Sequence, residues 1–252
     1  MIRRILRGPA SYALAYFVVL ELMLVAAVLY WPKFDIGKIR DLIPFDNMRE
    51  MVDEIGDAGI VGYVVGQQFF KGCNTLGTAA AALFAAGAVA GEVHRGTLEI
   101  WIARPYSRLR ILTLRYAAGA LATIVPVFVS SATIPWLAAH VGEDLDLVPL
   151  LWCAAHQSLI LLAIYGVTFL LSTMGSNPTR IALSVLFVTT LMFAIYFVDF
   201  VTHWSFFRLS DIQDYLDAYD DRRLDPSVAL PILALIVTCF LASVLAFRRR
   251  VP

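Results

Sequence analysis

Long uncharged stretches are the feature that most restricts how this chain can fold. Tyr116 to Ala139 contains no charged residue, and Cys73 to Ala90 contains none either. A helix needs about 20 apolar residues to cross a bilayer, and its backbone polar groups must be bonded internally there. Of the 252 residues, 60% are hydrophobic and 16% are charged, whereas a soluble domain is about 45–50% apolar and about 25% charged. The sequence therefore predicts a helical integral membrane protein.

Six apolar stretches are long enough to cross a bilayer, and they predict an all-α integral membrane fold in one domain, residues 1–252. The spans are expected at about residues 11–31, 68–91, 110–139, 150–173, 181–201 and 226–247. Two longer polar segments, 32–66 and 202–225, should form the loops at one membrane face. Ser210 is expected to cap a helix in the second. Helical spacing of apolar residues predicts a short amphipathic helix in each segment, marked by Phe45, Met48, Met51, Val52 and Ile55, and by Ile212, Tyr215, Leu216 and Tyr219.

The formal net charge is zero, yet the charges are segregated between alternate loops. Loops on the side of the N-terminus have Glu92 and Glu99 as their only acids, and the opposite loops hold nearly all the others. By the positive-inside rule, both termini and the loop between the second and third spans are expected in the cytoplasm. No general basic field indicates nucleic acid binding. The arginines of the basic side are Arg3, Arg4, Arg7, Arg95, Arg104, Arg108, Arg110, Arg115, Arg180 and Arg248 to Arg250.

The loop between the second and third spans, Gly91 to Tyr116, has the composition of a short helix lying against the membrane. Gly96 can end the preceding helix, and Thr97 can cap the next one. Glu99 in the first turn suits the positive end of the helix dipole. Pro105 ends this helix, because the residue before a proline avoids the α region.

Two interpretations of this loop remain open. Leu98, Trp101 and Ile102 share one helical face, and Ser107 can cap a following helix that carries Arg108 near its start. A solvated basic loop that follows the positive-inside rule explains the pattern without a ligand. The same pattern is also typical of a docking element for a soluble partner.

The loop contains the pattern E-x-x-x-G-T-L-E followed by R-P-x-S-R, between the second and third of the six predicted spans. In this position the pattern resembles the permeases of ABC-2 type transporters. In that family the segment is the coupling helix, about residues 97–105 here, which lies on a separate ATPase subunit. The chain departs from the family at Tyr106, where Val is common, and at Arg115, where Lys is common. The matching residues are Glu92, Gly96, Thr97, Leu98, Glu99, Arg104, Pro105, Ser107 and Arg108.

The resemblance implies a membrane-spanning permease subunit of an ATP-driven exporter in the cell membrane of a bacterium or archaeon. Two copies, or one copy and a relative, are expected to pair among the membrane lipids, each with an ATP-binding cassette ATPase. ATP and Mg²⁺ then belong to the ATPase, and no cofactor or metal is expected in this chain, which lacks G-x-x-x-x-G-K-[ST]. The residues expected to contact the ATPase are Glu92, Thr97, Leu98, Glu99, Trp101, Ile102, Arg104, Pro105, Ser107 and Arg108.

Two other classes of function are alternatives to this one. A non-transporting membrane scaffold or mechanotransmitter would pass the work of the ATPase to an extracytoplasmic protein bound at the acidic loops. An intramembrane hydrolase would need catalytic residues inside the spans, but the sequence has no H-E-x-x-H and no G-x-S-x-G motif.

Two titratable residues inside predicted spans are candidates for a polar path through the membrane. A carboxylate such as Glu21 costs about 2.5–3.5 kcal/mol at the centre of a span, so it should face protein or water. His156 is either a hydrogen-bonded core residue or part of such a path. The cysteines are widely spaced and are expected to be packing residues; they are Cys73, Cys153 and Cys239.

Overall fold

The computed structural model describes residues 2–43, 46–102, 106–198 and 200–249. Within these ranges the regular elements are helices. They are α1 Ile2–Tyr30, α2 Ile36–Leu42, α3 Asp46–Asp57, α4 Gly59–Val65, a π-helix Gly66–Gly77, α5 Thr78–Ala88, α6 Ala90–His94, α7 Leu98–Ile102, α8 Arg108–His140, α9 Leu147–Met174, α10 Pro178–Tyr196, α11 Ile212–Asp221 and α12 Pro226–Arg249, with 3₁₀ turns at Trp31–Lys33, Thr202–Trp204 and Phe206–Ser210. The all-α prediction is confirmed.

Five helices in the described part of the chain are long and apolar enough to cross a membrane. They lie close to the predicted first, third, fourth, fifth and sixth spans, and cover Pro9–Lys33, Arg108–His140, Leu147–Met174, Pro178–Tyr196 and Pro226–Arg249. The predicted second span, 68–91, is also helical, but it is divided among the π-helix, α5 and α6.

Two predicted boundaries are wrong. The polar segment 32–66 was expected to be loop up to the second span, but its last part forms α4, whose Tyr63, Val64 and Val65 are buried. This apolar run follows acidic α3 after a single residue, so the sequence alone groups it with the polar segment. The fifth span was expected to reach residue 201, but α10 ends at Tyr196, and tight 3₁₀ turns follow.

Helix α9 forms the centre of the bundle and packs against α5, α8 and α12. Its Tyr165 and Phe169 are completely buried. Helix α1 packs along α8, and its Leu20 and Leu24 face inward. The outward faces of α1, α10 and α12 are strongly apolar, as a lipid-facing surface requires; they include Val18, Leu22, Phe187, Leu191, Leu241 and Leu245.

The two ends of the bundle carry different elements. We call the end with α6, α7 and the last turn of α12 the loop end, and the end with α2, α3 and α11 the far end. At the far end, the indole nitrogen of Trp31 donates to Glu143, 2.9 Å away, and so joins the end of α1 to the turn after α8. The three cysteines are free and buried, which confirms their interpretation as packing residues.

The amphipathic helices predicted in the polar segments are present as α3 and α11. The prediction that Ser210 caps α11 is wrong, because the cap is Asp211, which forms a capping box with Asp214. The side chain of Ser210 instead points into the bundle and is completely buried. Its hydroxyl accepts a hydrogen bond from the side-chain amide of Asn74. This amide is buried and would cost free energy without a partner, whereas the start of α11 is already capped by Asp211.

Candidate functional site

The helix that leads to the loop end is broken at Val89. Helix α5 ends at Ala88, α6 begins at Ala90, and Val89 has φ −118° and ψ −52° between them. A break leaves backbone groups without helical partners, and buried groups of this kind must find others. Side chains from two other long helices, α9 and α8, provide them.

The side chain of Ser172 on α9 forms hydrogen bonds with three backbone groups around the break. Its hydroxyl oxygen accepts from the N–H of Val89 at 3.1 Å and from the N–H of Ala90 at 2.9 Å. The hydroxyl donates to the carbonyl of Ala86 at 2.8 Å. Sequence reasoning missed this residue.

The side chain of Arg115 on α8 also forms a hydrogen bond with the backbone at this break. Its guanidinium donates to the carbonyl of Ala88 at 2.5 Å and lies 3.1 Å from Oε1 of Glu92. The side chains of Arg115 and Glu92 are each 13% exposed. The ion pair between them is therefore shielded from water, and it joins α6 to a helix that crosses the whole bundle.

Glu92 is the centre of the polar contacts at the start of the loop. Arg95 lies 2.9 Å from its Oε1, the hydroxyl of Thr97 donates to its Oε2, and the N–H of Thr97 donates to its carbonyl at 2.9 Å. Burial raises the pKa of Glu92, but the hydrogen bond from Thr97 and the charge of Arg115 outweigh burial and lower the pKa to about 2. The carboxylate therefore stays ionised at any physiological pH.

Gly96 makes the turn between α6 and α7. Its φ is +66°, in the left-handed region that residues with a Cβ adopt at a cost. Its N–H donates to the carbonyl of Val93 at 3.0 Å. The expectation that Gly96 ends the preceding helix is confirmed, since α6 stops at His94.

Helix α7 presents different side chains to the bundle and to solvent. Leu98 is half-buried and lines a small cleft together with Ile111, Leu112 and Phe247. Glu99 is exposed, and Ile100 is 60% exposed. Leu98 therefore anchors α7 to the bundle, whereas Ile100, which sequence reasoning did not select, is on the outside.

Four of the predicted contact residues lie partly or wholly beyond what the structure describes. The backbone of Trp101 and Ile102 belongs to α7, but their side chains are outside the described set. Arg104 and Pro105 are outside the described residues altogether. Their roles stay predictions from the sequence.

The far side of the loop is fixed to α8 and α12. Ser107 caps α8, as predicted, by accepting from the N–H of Arg110 at 3.3 Å. Arg108 donates to the carbonyl of Arg248 at 3.3 Å, near the end of α12. The guanidinium of Arg110 lies 5.3 Å from the centre of the Tyr106 ring. Both ends of the loop are thus attached to long helices.

The two candidates for a polar path contact different elements. Glu21 on α1 accepts from the hydroxyl of Thr133 on α8 at 2.7 Å. His156 on α9 lies 2.9 Å from the carbonyl of Leu209, and its ring makes a T-shaped contact with that of Tyr215. Among the described residues, no hydrogen bond or ion pair joins Glu21 to His156. His156 has the contacts of a core histidine. Glu21 bonds Thr133 through one carboxylate oxygen, whereas its other oxygen is buried with no hydrogen-bond partner among the described residues.

A second buried polar network lies toward the far end. The amide of Gln157 donates to Asn74 at 3.0 Å, and Asn74 donates to Ser210 at 2.9 Å. The hydroxyl of Tyr215 donates to Gln157, and the sulfur of Cys153 lies 3.3 Å from the carbonyl of Tyr215. The network holds α11 against α9 and the π-helix. The sequence signal for this network is the presence of Asn74 and Gln157 within apolar stretches, because amide side chains there need polar partners inside the bundle.

The comparison with curated proteins gives no match for this chain. The family model for ABC-2 family transporter proteins matches residues 10–213, a range that contains the helix break, the loop and all of the buried network except Tyr215. With its apolar helices, this match identifies a multi-pass transmembrane permease. The chain belongs to the ABC-2 family of transporter proteins.

Proposed function

We propose that the chain is the permease subunit of an ATP-driven exporter and that the loop end receives work from a separate ATP-binding cassette ATPase. The observation that carries the proposal is the cluster of Glu92, Arg115 and Thr97. It fixes the loop to α8 through a shielded ion pair, so a force on the loop has a stiff path into the membrane.

The proposal requires six crossings, with both termini and the loop in the cytoplasm. We propose that α4, the π-helix and α5 together form the second crossing. From Gly59 to Ala88 the backbone is helical throughout, and a helical stretch of this length exceeds the hydrocarbon thickness of about 30 Å. The arginines of the loop and of the last turn of α12 then lie on the cytoplasmic side, in accord with the positive-inside rule.

The ATPase would contact the exposed side of α7. Ile100 offers an apolar side chain for a groove on the partner, and Glu99 offers a charge at its rim. We propose that Trp101, Ile102, Arg104, Pro105, Ser107 and Arg108 complete this surface. ATP and Mg²⁺ would be bound by the ATPase. A second permease, identical or related, would complete the transporter.

Co-purification tests the proposed contact. The full-length chain would be isolated in mild detergent from its native membranes, and ABC ATPases in the eluate would be quantified by mass spectrometry. The double variant Glu99→Lys with Ile100→Arg should recover at least about tenfold less ATPase, the effect of losing about 1.4 kcal/mol of binding. Equal recovery by the variant and the unmodified chain would refute the contact.

Leu42 provides the matched control. It is an apolar side chain, 82% exposed, at the far end of the bundle. Leu42→Arg adds the same charged group to the opposite end, so it should leave ATPase recovery unchanged. If Leu42→Arg lost the ATPase and the double variant did not, the contact would lie at the far end and the proposal would be wrong.

A further inference from the structure

Ser172 differs from the other hydroxyl residues described in α9. Ser158 donates to the carbonyl of Ala154, and Thr168 donates to that of Ile164, so each bonds its own helix four residues back. This is the usual bond of a buried serine or threonine within a helix. Ser172 is equally buried, but it bonds the backbone of α5 and α6.

The bonds of Ser172 replace one rung of the broken helix. In an unbroken helix, the N–H of Ala90 would donate to the carbonyl of Ala86. Here the Ser172 hydroxyl lies between them, accepting from the first at 2.9 Å and donating to the second at 2.8 Å. A side chain inserted into the ladder in this way bends a helix without leaving a buried group unpaired. The chain thus has a point of bending at Val89 whose backbone partners come from another helix.

Helix α9 is joined to the same neighbouring helical stretch at two points. In the first half of α9, Gln157 bonds Asn74 of the π-helix. Near the end of α9, Ser172 bonds Ala86 of α5. Fifteen residues of α9 separate these points, which is about 22 Å at 1.5 Å per residue. Between them, α5 and α9 are packed together. The break at Val89 lies just beyond the second point, where this joined pair ends.

We infer that Val89 is a hinge about which α6 and α7 turn relative to α5 and α9 while the Glu92–Arg115 ion pair keeps them attached to α8, and that Ser172 is the positioning residue that holds this hinge to α9. A role for the hinge in transport rests on the proposed function, because the ATPase would supply the force that moves α7. The hinge itself is a property of the permease alone and can be tested without the ATPase.

Amide hydrogen exchange on the full-length chain in nanodiscs tests the Ser172 contacts. Ser172→Ala should speed exchange at Val89 and Ala90 by about tenfold, since both amides lose their acceptor. Ser158→Ala removes an equally buried hydroxyl of the same helix and should not change these two amides. Unchanged exchange in Ser172→Ala would overturn the inference.

Pulsed electron paramagnetic resonance tests the hinge. Spin labels would be placed at Ile100→Cys on α7 and at Ser176→Cys just beyond α9; both positions are exposed, and the native cysteines are buried. Ser172→Ala should broaden or shift the distance distribution, whereas Ser158→Ala should not. Ser172→Thr keeps the hydroxyl and should retain the unmodified distribution. Identical distributions in Ser172→Ala and the unmodified chain would contradict the hinge.

Two further observations keep the test decisive. If Ser172→Ala does not fold, Ser172→Cys takes its place, because it retains a weak hydrogen-bonding group of similar size. Exchange at Val89 and Ala90 in Ser172→Cys should be faster than in Ser172→Thr and Ser158→Ala, but slower than in fully unprotected amides. No increase over Ser172→Thr would count against the inference. If the ATPase fails to co-purify while the hinge behaves as described, the proposed function fails alone; if the ATPase co-purifies and the hinge does not respond to Ser172, only this inference fails.

Discussion

A guanidinium nitrogen of Arg115 lies 3.1 Å from Oε1 of Glu92, and this ion pair joins the first turn of the loop to the helix that follows it. The loop therefore begins and ends on the same helix, α8, which Ser107 caps at its start. A displacement of α7 would act on α8 through both attachments. The predictions below test this arrangement and the buried contacts at the far end.

Glu92→Gln should destabilise the protein by about 2–4 kcal/mol, because it leaves the shielded charge of Arg115 without its carboxylate. The size of the coupling can be measured by thermal unfolding in detergent with Glu92→Gln, Arg115→Gln and the double variant. The double variant should cost less than the sum of the two single variants. Additive losses would mean that the two side chains do not act on each other.

The loop should be insensitive to pH between about 5 and 8. The folded pKa of Glu92 is lowered to about 2 by the hydrogen bond from Thr97 and the charge of Arg115, which outweigh burial. A lowered carboxyl pKa gives stability that is present above the ordinary carboxyl range and is lost as the pH falls toward about 2. Amide exchange at Gly96 and Thr97 should therefore follow only the intrinsic chemistry between pH 5 and 8. A cooperative loss of protection in that interval would contradict the assignment.

The far end should respond to pH in the opposite way. Burial and the nearby carboxylates Asp211, Asp217 and Asp225 raise the pKa of Asp214 to about 6. A raised carboxyl pKa gives stability that is full below the ordinary range and is lost as the pH rises through about 6. Protection of the amides of α11 should therefore be greater at pH 5 than at pH 7.5, by at most about 1 kcal/mol once the partial exposure of Asp214 is allowed for.

Two variants distinguish Asp214 from the other acids of α11. Asp214→Asn keeps an acceptor for the cap but cannot ionise, so it should remove most of the pH dependence. Asp221→Asn changes a carboxylate paired with exposed Arg223 at the end of the same helix and should keep that dependence. Retention of the full pH dependence in Asp214→Asn would rule out Asp214 as its source.

Gly96→Ala should lower stability by about 1–2 kcal/mol, because a Cβ is strained at φ +66°. Gly87→Ala is the matched control, since a Cβ at Gly87 meets no atom within 4 Å and lies inside helix α5, where alanine is favoured over glycine. Its thermal midpoint should be equal to or higher than that of the unmodified chain. Equal midpoints for Gly96→Ala and Gly87→Ala would show that the turn does not need a left-handed residue.

Gln157→Leu should destabilise the docking of α11 by about 1–3 kcal/mol, because Asn74 and Tyr215 each lose a buried partner. The exchange rates of amides in Ile212–Asp221 measure this loss. Gln213→Leu alters an exposed glutamine on α11 itself and should leave those rates nearly unchanged. Equal protection in both variants would mean that the buried network does not hold α11.

The sequence predicted most of the long helices, because apolar stretches of membrane length and period-3.6 amphipathic segments are strong signals. It also located the loop and its turn, since Gly96 and Ser107 have preferences that act locally. The role of Ser172 could not be predicted, because a buried serine in a helix usually bonds its own backbone, as Ser158 does. Only the tertiary packing of α9 on α5 turns its hydroxyl toward another helix.

The orientation of α7 was another matter that the sequence left undecided. The shared face of Leu98, Trp101 and Ile102 predicted an apolar contact but not which neighbour it meets. In the structure Leu98 packs on the bundle, and Ile100 is the exposed apolar residue. A helix of five residues is too short for periodicity to tell its two faces apart.

The side of the membrane on which Ile100 lies tests the account most directly. Ile100→Cys and Leu42→Cys would be treated separately with a membrane-impermeant maleimide, in sealed right-side-out vesicles and in inverted ones. The account predicts that Ile100→Cys reacts only in inverted vesicles and Leu42→Cys only in right-side-out vesicles. Reaction of Ile100→Cys in sealed right-side-out vesicles would place α7 beyond the reach of a cytoplasmic ATPase and would contradict the account.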